Sequence, residues 1–326
     1  MSDANPLISV VVEGYNESLA LGSVEETIAG LRAQDFPLDR VELVLVGTSK
    51  QTRRWRELYA ADRTFADLKL VPADGAHYFE LKNRGLDASS GEVVALTDSD
   101  ARPEPGWLRT LVEGILAGAD VAVGPSLFRG ERLGPASLVM QTASSVSWGS
   151  VVGRNARGEL VAKGFQSHNL GLSRRVVDRY RYRTDLGRTC AGWFLFKALA
   201  ADRAQIVFQP DQRVAHTFSA RWWGPRLHVR FGYEILQLRR LDGEWPRRWV
   251  LRTVILEPLL TTAWHIALDL PQWLRFSDAL GLPRSRRVAV IPLVFAMSVV
   301  ARGCELAGML ATMVAPERMR RFAHSN

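Results

Sequence analysis

The chain has 326 residues, 47% hydrophobic and 23% charged, enough to bury a sizeable core in one large or two smaller domains and too apolar for a disordered chain. Its net charge of +8, carried mostly by arginine, favours an anionic partner: a phosphorylated substrate, an acidic membrane face or, at this level equally, nucleic acid. Two cysteines, Cys190 and Cys304, exclude a disulfide framework or zinc spacing and read as buried thiols in a reducing compartment, while the start MSDANP lacks a signal peptide's basic and apolar regions.

In chain order, the β-branched run Leu7–Tyr15 predicts a strand and Val24–Gln34 a helix. Strands follow at Val41–Gly47 and Leu68–Ala73, then a helix near Lys82–Ala88 and a strand at EVVALTD, ending on Asp98. Continuous apolar runs separated by helices suggest parallel strands covered on both faces, hence an α/β sheet with ligands beyond the strands' carboxyl ends. Glu13, Gly47 and Asp98 fall at such ends. A helix at Trp107–Ala117 and the strand DVAVGPS come next; Gly130–Arg183 has mixed periodicity. A helix around Trp193–Ala201 leads to IVFQPDQRVAH, read as two short strands around a turn that contains Asp211.

From about Ala220 the character changes. Residues Arg221–Arg240 combine arginine with aromatic side chains at helical spacing, and two apolar segments follow, Trp249–Leu270 and Val288–Val314. Both carry charges, and basic clusters flank them at Arg247–Arg248, Arg284–Arg287 and Arg318–Arg321. Helices lying in a membrane interface, or a hairpin returning to the cytoplasmic face, satisfy that pattern better than a single span. A buried helical subdomain is the alternative.

The densest chemistry is TDSD at the end of the fourth strand. Asp98 and Asp100 can converge on one hard cation such as Mg²⁺ or Mn²⁺, or they can be a polar turn. The preceding helix brings Lys82 and Arg84, and a cation with two basic side chains is what a diphosphate leaving group requires.

Together ISVVVEGYNES, KNRGLDASSGEVVALTDSD and IVFQPDQRVAH, in that order, resemble the family 2 glycosyltransferases over approximately residues 7–220. The resemblance implies a GT-A fold, a Rossmann-like mixed sheet flanked by helices. A nucleotide-sugar and catalytic domain would occupy 1–220, and a helical, basic and apolar membrane-associating region 221–326. It further implies Asp98 at the ribose or metal and Asp100 as main metal ligand of a DXD motif. Tyr15 would lie near the base in a pocket shaped by Glu13 and Gly14, with Arg84 near the diphosphate and His216 on the metal or diphosphate.

Two positions depart from the family pattern. The second strand ends in Gly47-Thr48 where an acidic pair usually reads the base, leaving the Thr48 hydroxyl for that contact. Ala191-Gly192 stands where the catalytic acids usually fall, which makes Asp185 the nearest candidate for the general base of an inverting transfer. Trp193 would line an acceptor pocket or the core. The expected donor is a UDP-sugar and the expected acceptor a lipid-linked or glycan molecule at the cytoplasmic face of the cell membrane, with no nucleic acid involved. A catalytically impaired scaffold and an RNA-binding protein are the alternatives.

Overall fold

In the computed structural model, residues 7–18, 22–128, 151–185, 188–216, 225–242, 256–276 and 288–324 are described. They group into two compact units, the first from 7–128, 151–184 and 191–216, the second from 185, 188–190 and the residues beyond 217.

The first unit alternates strands and helices: β1 (Ile8–Glu13), α1 (Tyr15–Ser18), α2 (Val24–Arg32), β2 (Val41–Gly47), α3 (Ser49–Tyr59), β3 (Asp67–Pro72), α4 (Tyr78–Ala88) and β4 (Val93–Asp98). After these come β5 (Ala101–Pro103), α5 (Trp107–Leu116), β6 (Val121–Val123), β7 (Ser126–Phe128), β8 (Val152–Arg154), β9 (Leu160–Ala162), β10 (Leu170–Ser173), α6 (Arg174–Arg179) and α7 (Arg188–Ala201). The strands β11 (Ile206–Phe208) and β12 (Val214–His216) close the unit. A seven-stranded sheet runs β11-β6-β10-β4-β1-β2-β3, beside a three-stranded sheet β5-β12-β7.

Alternate residues fill the two faces of the large sheet. Ile8, Val10 and Val12 join Leu43, Leu45, Val93 and Ala95 in one core with Ile28, Trp55, Trp107 and Leu111. On the other face α4 comes so close that a Cβ at Gly85 would lie 2.2 Å from Val11 Cγ1 and 3.1 Å from Val46 Cγ2. Only glycine at 85 allows that approach, and it seats the helix face that carries Tyr78 and Lys82 against the sheet.

Strand pairing adds two details to the sequence reading. The sheet is mixed, as the resemblance implies: β10 runs antiparallel to both β4 and β6. In addition, the two strands of IVFQPDQRVAH are not partners. β11 pairs with β6 in the large sheet, whereas β12 pairs with β5 and β7 in the small one. Gln212, fully buried between them, hydrogen-bonds Ala122 O and Asn169, so the turn enters the interior instead of closing a hairpin.

The second unit contains α8 (Pro225–Asp242), α9 (Leu256–Phe276), α10 (Ile291–Val314) and α11 (Pro316–His324). Close crossing of α8 and α10 requires two glycines: a Cβ at Gly232 would lie 2.0 Å from Glu305 O, and one at Gly308 equally near Val229 O. Several charged residues point inward. Arg302 bridges Asp269 at 2.8 Å and Glu305 at 2.8 Å, Ser298 donates to Asp269, and His228 lies 3.3 Å from Glu305. Large apolar side chains instead face outward, including Leu259, Trp264, Phe295, Val300 and Val314. Helix α10 is long and apolar enough to cross a membrane by length and composition. The clusters at 247–248 and 284–287, residues 221–224 and the start of the apolar segment at 249–255 lie outside the described residues. Cys190 is buried and Cys304 half-buried.

Glu42, buried on β2, ties the amino ends of the strands together. It accepts from Ser9 Oγ at 2.7 Å and Ser90 N at 3.0 Å, and pairs with Lys69 at 2.5 Å. Burial raises its pKa, but Lys69, Ser90 and Ser9 outweigh burial and hold the carboxyl below the usual range. The stabilisation from this pKa difference is therefore present above the unfolded value, about pH 4.3, and is lost as pH falls through the lower folded value. Glu42→Gln is expected to destabilise the protein at neutral pH and to converge on the wild type as pH falls below the unfolded value and through the lower folded one, as measured by urea unfolding.

Candidate active site

The parallel strands β1, β2 and β4 all end at one edge of the sheet, and the acidic residues collect there. Glu13 and Asp98 are register partners on adjacent strands. Asp98 is buried and held on both oxygens: Lys82 Nζ lies 2.5 Å from Oδ1, and the Tyr78 hydroxyl donates to Oδ2 at 2.9 Å. Lys82 and Tyr78 occupy one face of α4, spaced i, i+4. Burial is the largest single influence on Asp98 and opposes its charge. Lys82, His168 and His216 outweigh burial, and Asp98 titrates well below the usual carboxylate range. Glu13 goes the other way, pushed well above that range by burial and then by the charge of Asp98. The charge kept on Asp98 thus favours the neutral form of its neighbour Glu13.

Asp100 and His216 are also buried, with His216 Nε2 3.5 Å from Asp100 Oδ1. His216 ends β12, level with Ala101 of β5, so the small sheet delivers it beside the TDSD turn. Asp98, His168 and His216 each place one potential ligand atom within 4.8 Å of the others. His168 was not among the residues singled out from the sequence. It precedes β10, and because that strand is antiparallel its amino end lies at the carboxyl edge of the parallel strands. Leu170 faces Leu96, so the same register continued puts His168 level with Asp98. A buried polar run, Gln166–Asn169, just before an apolar strand was the available signal.

The neighbouring Asn169 fixes this arrangement. Its amide donates to Pro125 O at 3.0 Å and Gln212 O at 2.9 Å, and its oxygen accepts from Trp107 Nε1 at 2.8 Å. These bonds tie β10, α5 and the turn before β12 to one side chain.

At the ends of β1 and β2, Tyr15 N donates to Glu13 Oε2 at 2.7 Å, and the Tyr15 ring lies edge-on to Tyr78 at 5.9 Å. Gly14 N donates to Val46 O at 2.8 Å. Trp55 lies beneath both glycines: a Cβ at Gly14 would be 2.7 Å from its ring, and one at Gly47 2.6 Å. An acidic side chain at position 47 is therefore excluded by the indole. The Thr48 hydroxyl caps α3 by accepting from Gln51 N at 3.2 Å. An acid does reach this edge from β3: Asp74 accepts from Ser49 N at 2.8 Å.

Two candidates are exposed, unlike the buried acidic residues. Arg84 is exposed on α4, two residues beyond Lys82 and so about 200° around the helix. Asp185 is exposed and grouped with the second unit. Trp193 is half-buried and stacks on Phe196 at 5.9 Å. At Gly192 a Cβ would meet Ser167 Oγ at 3.7 Å, an ordinary contact.

The model of the glycosyl transferase family 2 matches residues 9–181. Glycosyltransferase AglE of Haloferax volcanii is 24% identical over 126 residues, 38% of this chain and 40% of that protein. The probable glycosyltransferase YdaM of Bacillus subtilis is 24% identical over 115 residues, 34% of this chain and 27% of the relative. Both matches span less than half of the relative's length. The mannosyltransferase PcManGT from Pyrobaculum calidifontis, solved in complex with GDP-Man and Mn²⁺, superposes with a TM-score of 0.60 at 17% identity, covering 97% of this chain and 89% of that one. The fold is thus of the GT-A type.

The Lys82–Asp98 pair is nearly water-free, with both side chains at most 2% exposed. Lys82→Met leaves Asp98 buried without its ammonium partner, and is expected to cost about 3–5 kcal/mol in urea unfolding. The double variant Lys82→Met/Asp98→Asn is expected to recover much of that loss.

Proposed function

The chain belongs to glycosyltransferase family 2, and we propose that it moves a sugar from a nucleoside diphosphate donor to a lipid-linked or glycan acceptor, assisted by a divalent cation, Mg²⁺ or Mn²⁺. The observation that carries this reading is the buried group of Asp98, Asp100 and His216, with Lys82, at the carboxyl edge of the central strands. Oxygen and imidazole donors in a buried site suit such a cation, which would neutralise the departing diphosphate. Lys82 adds positive charge at the same place, and Arg84 contributes from the exposed side of α4. Tyr15 is assigned to the base, in a pocket shaped by Glu13, Gly14 and Thr48. We read the nucleotide as UDP; GDP-Man, the molecule bound to PcManGT, is the competing donor to test.

The reaction we propose is inverting: the acceptor hydroxyl attacks the anomeric carbon, the bond to the diphosphate breaks, and a base takes the hydroxyl proton. Asp185 is our candidate for that base. One observation favours a second reading, a nucleotide-sugar-binding protein without transfer: positions 191 and 192, where the family's catalytic acids usually fall, carry no carboxylate.

We also propose that the second unit associates with an anionic membrane face. Its helices bury several charged groups and expose large apolar side chains, a surface suited to hydrocarbon contact. Exposed Arg318, Arg320 and Arg321 on α11 suit acidic headgroups. Trp264→Glu with Phe295→Glu is expected to reduce co-sedimentation with anionic vesicles several-fold; binding equal to wild type would refute the assignment.

Calorimetric titration of UDP-sugars and GDP-mannose with and without Mn²⁺ tests the donor and the metal. Asp100→Asn is expected to abolish the metal-dependent part of donor binding, and unchanged affinity would remove Asp100 from the metal site. Transfer to a membrane extract separates enzyme from binding protein. In the same assay, Asp185→Asn with wild-type turnover would exclude Asp185 as base.

A further inference from the structure

The buried edge that holds Asp98 and Asp100 contains two imidazoles, and only His216 has been given a role. His168 is 7% exposed and His216 2%, and their rings meet edge to face with centroids 4.9 Å apart. Their ligand atoms and one from Asp98 lie within 4.8 Å of one another. Ligands on a single cation with bonds of about 2.0–2.2 Å are separated by about 3–4.4 Å, so a small side-chain adjustment closes the set. The His168 ring is held in place: Nε2 lies 2.9 Å from Ser126 Oγ, a contact that orients the ring. Its backbone is anchored by the neighbouring Asn169, which bonds three separate segments.

We propose that His168 is a direct ligand of the cation, making this an imidazole–carboxylate site that selects manganese and later first-row divalent ions over magnesium. This rests on the metal-assisted reading above. Magnesium prefers oxygen ligands and gives up water reluctantly, so nitrogen donors add little to its binding. Manganese, cobalt and zinc accept imidazole. Asp98 already shares its charge with Lys82 and Tyr78, which leaves the two histidines a larger share of the binding.

The test uses the metal alone on the full chain. Mn²⁺ is expected to bind at least about tenfold more tightly than Mg²⁺ by calorimetry. Pulsed electron paramagnetic resonance of the Mn²⁺ complex is expected to show ¹⁴N coupling from two imidazoles, reduced to one in His168→Gln and in His216→Gln. Gln at 168 keeps a group able to bond Ser126, and circular dichroism of the metal-free variant checks its fold. If the variant does not fold, the wild-type spectrum alone decides: one imidazole or none overturns the proposal. Equal affinity for Mg²⁺ and Mn²⁺ overturns it too, as does an unchanged nitrogen signal in His168→Gln. Donor titration separates the two readings. A two-imidazole Mn²⁺ complex that binds no nucleotide sugar sinks the transferase and leaves the metal site. Donor binding supported equally by Mg²⁺, and unchanged in His168→Gln, sinks only the role of His168.

Discussion

A lysine ammonium and an aspartate carboxylate meet 2.5 Å apart inside the first unit, almost without solvent, and the candidate site is organised around them. Three carboxyl groups, from Glu13, Asp98 and Asp100, are buried at the same sheet edge. Without a buried cation such a group would take up protons or disperse. Lys82 keeps Asp98 ionised, and the charge on Asp98 then favours the neutral form of Glu13. The pair depends in turn on how closely α4 lies on the sheet, which Gly85 permits by presenting no side chain to Val11.

The second constraint is strand direction. In an all-parallel sheet the amino end of every strand would lie at the edge away from the site. The antiparallel β10 reverses that rule once, bringing the segment Gln166–Asn169 level with the end of β4. Asn169 then secures α5 and the turn before β12, whose last residue is His216. Residues 98, 168 and 216 are far apart in the chain, and they are neighbours because two small strands place them so.

The second unit solves a different problem. Arg302 is paired with both Asp269 and Glu305, and charged groups in its interior are matched by apolar groups outside. In water that arrangement leaves hydrophobic surface exposed; against hydrocarbon it satisfies both faces. Gly232 and Gly308 allow α8 and α10 the close contact on which the internal pairing depends.

Much of the first unit was legible in the sequence, because strands covered on both faces read as continuous apolar runs and end in polar turns. β1, β2, β4 and their helices emerge from that pattern, and the motifs around Tyr15, Lys82 and Asp98 led to the family. The reach of local pattern ends at pairing. Periodicity places two short strands in IVFQPDQRVAH but does not show that they join different sheets. It also does not reveal direction, so His168 had no visible relation to Asp98. The acid missing at position 47 was apparent in the sequence, but its reason was not: Trp55 fills the space from the next helix. By itself, the sequence determined which segments form the α/β unit and which acids stand at its strand ends, since both follow from local apolar order. Only the tertiary structure decided which side chains share the site, because strand direction, sheet membership and the approach of helix to sheet are set by contacts between residues distant in the chain.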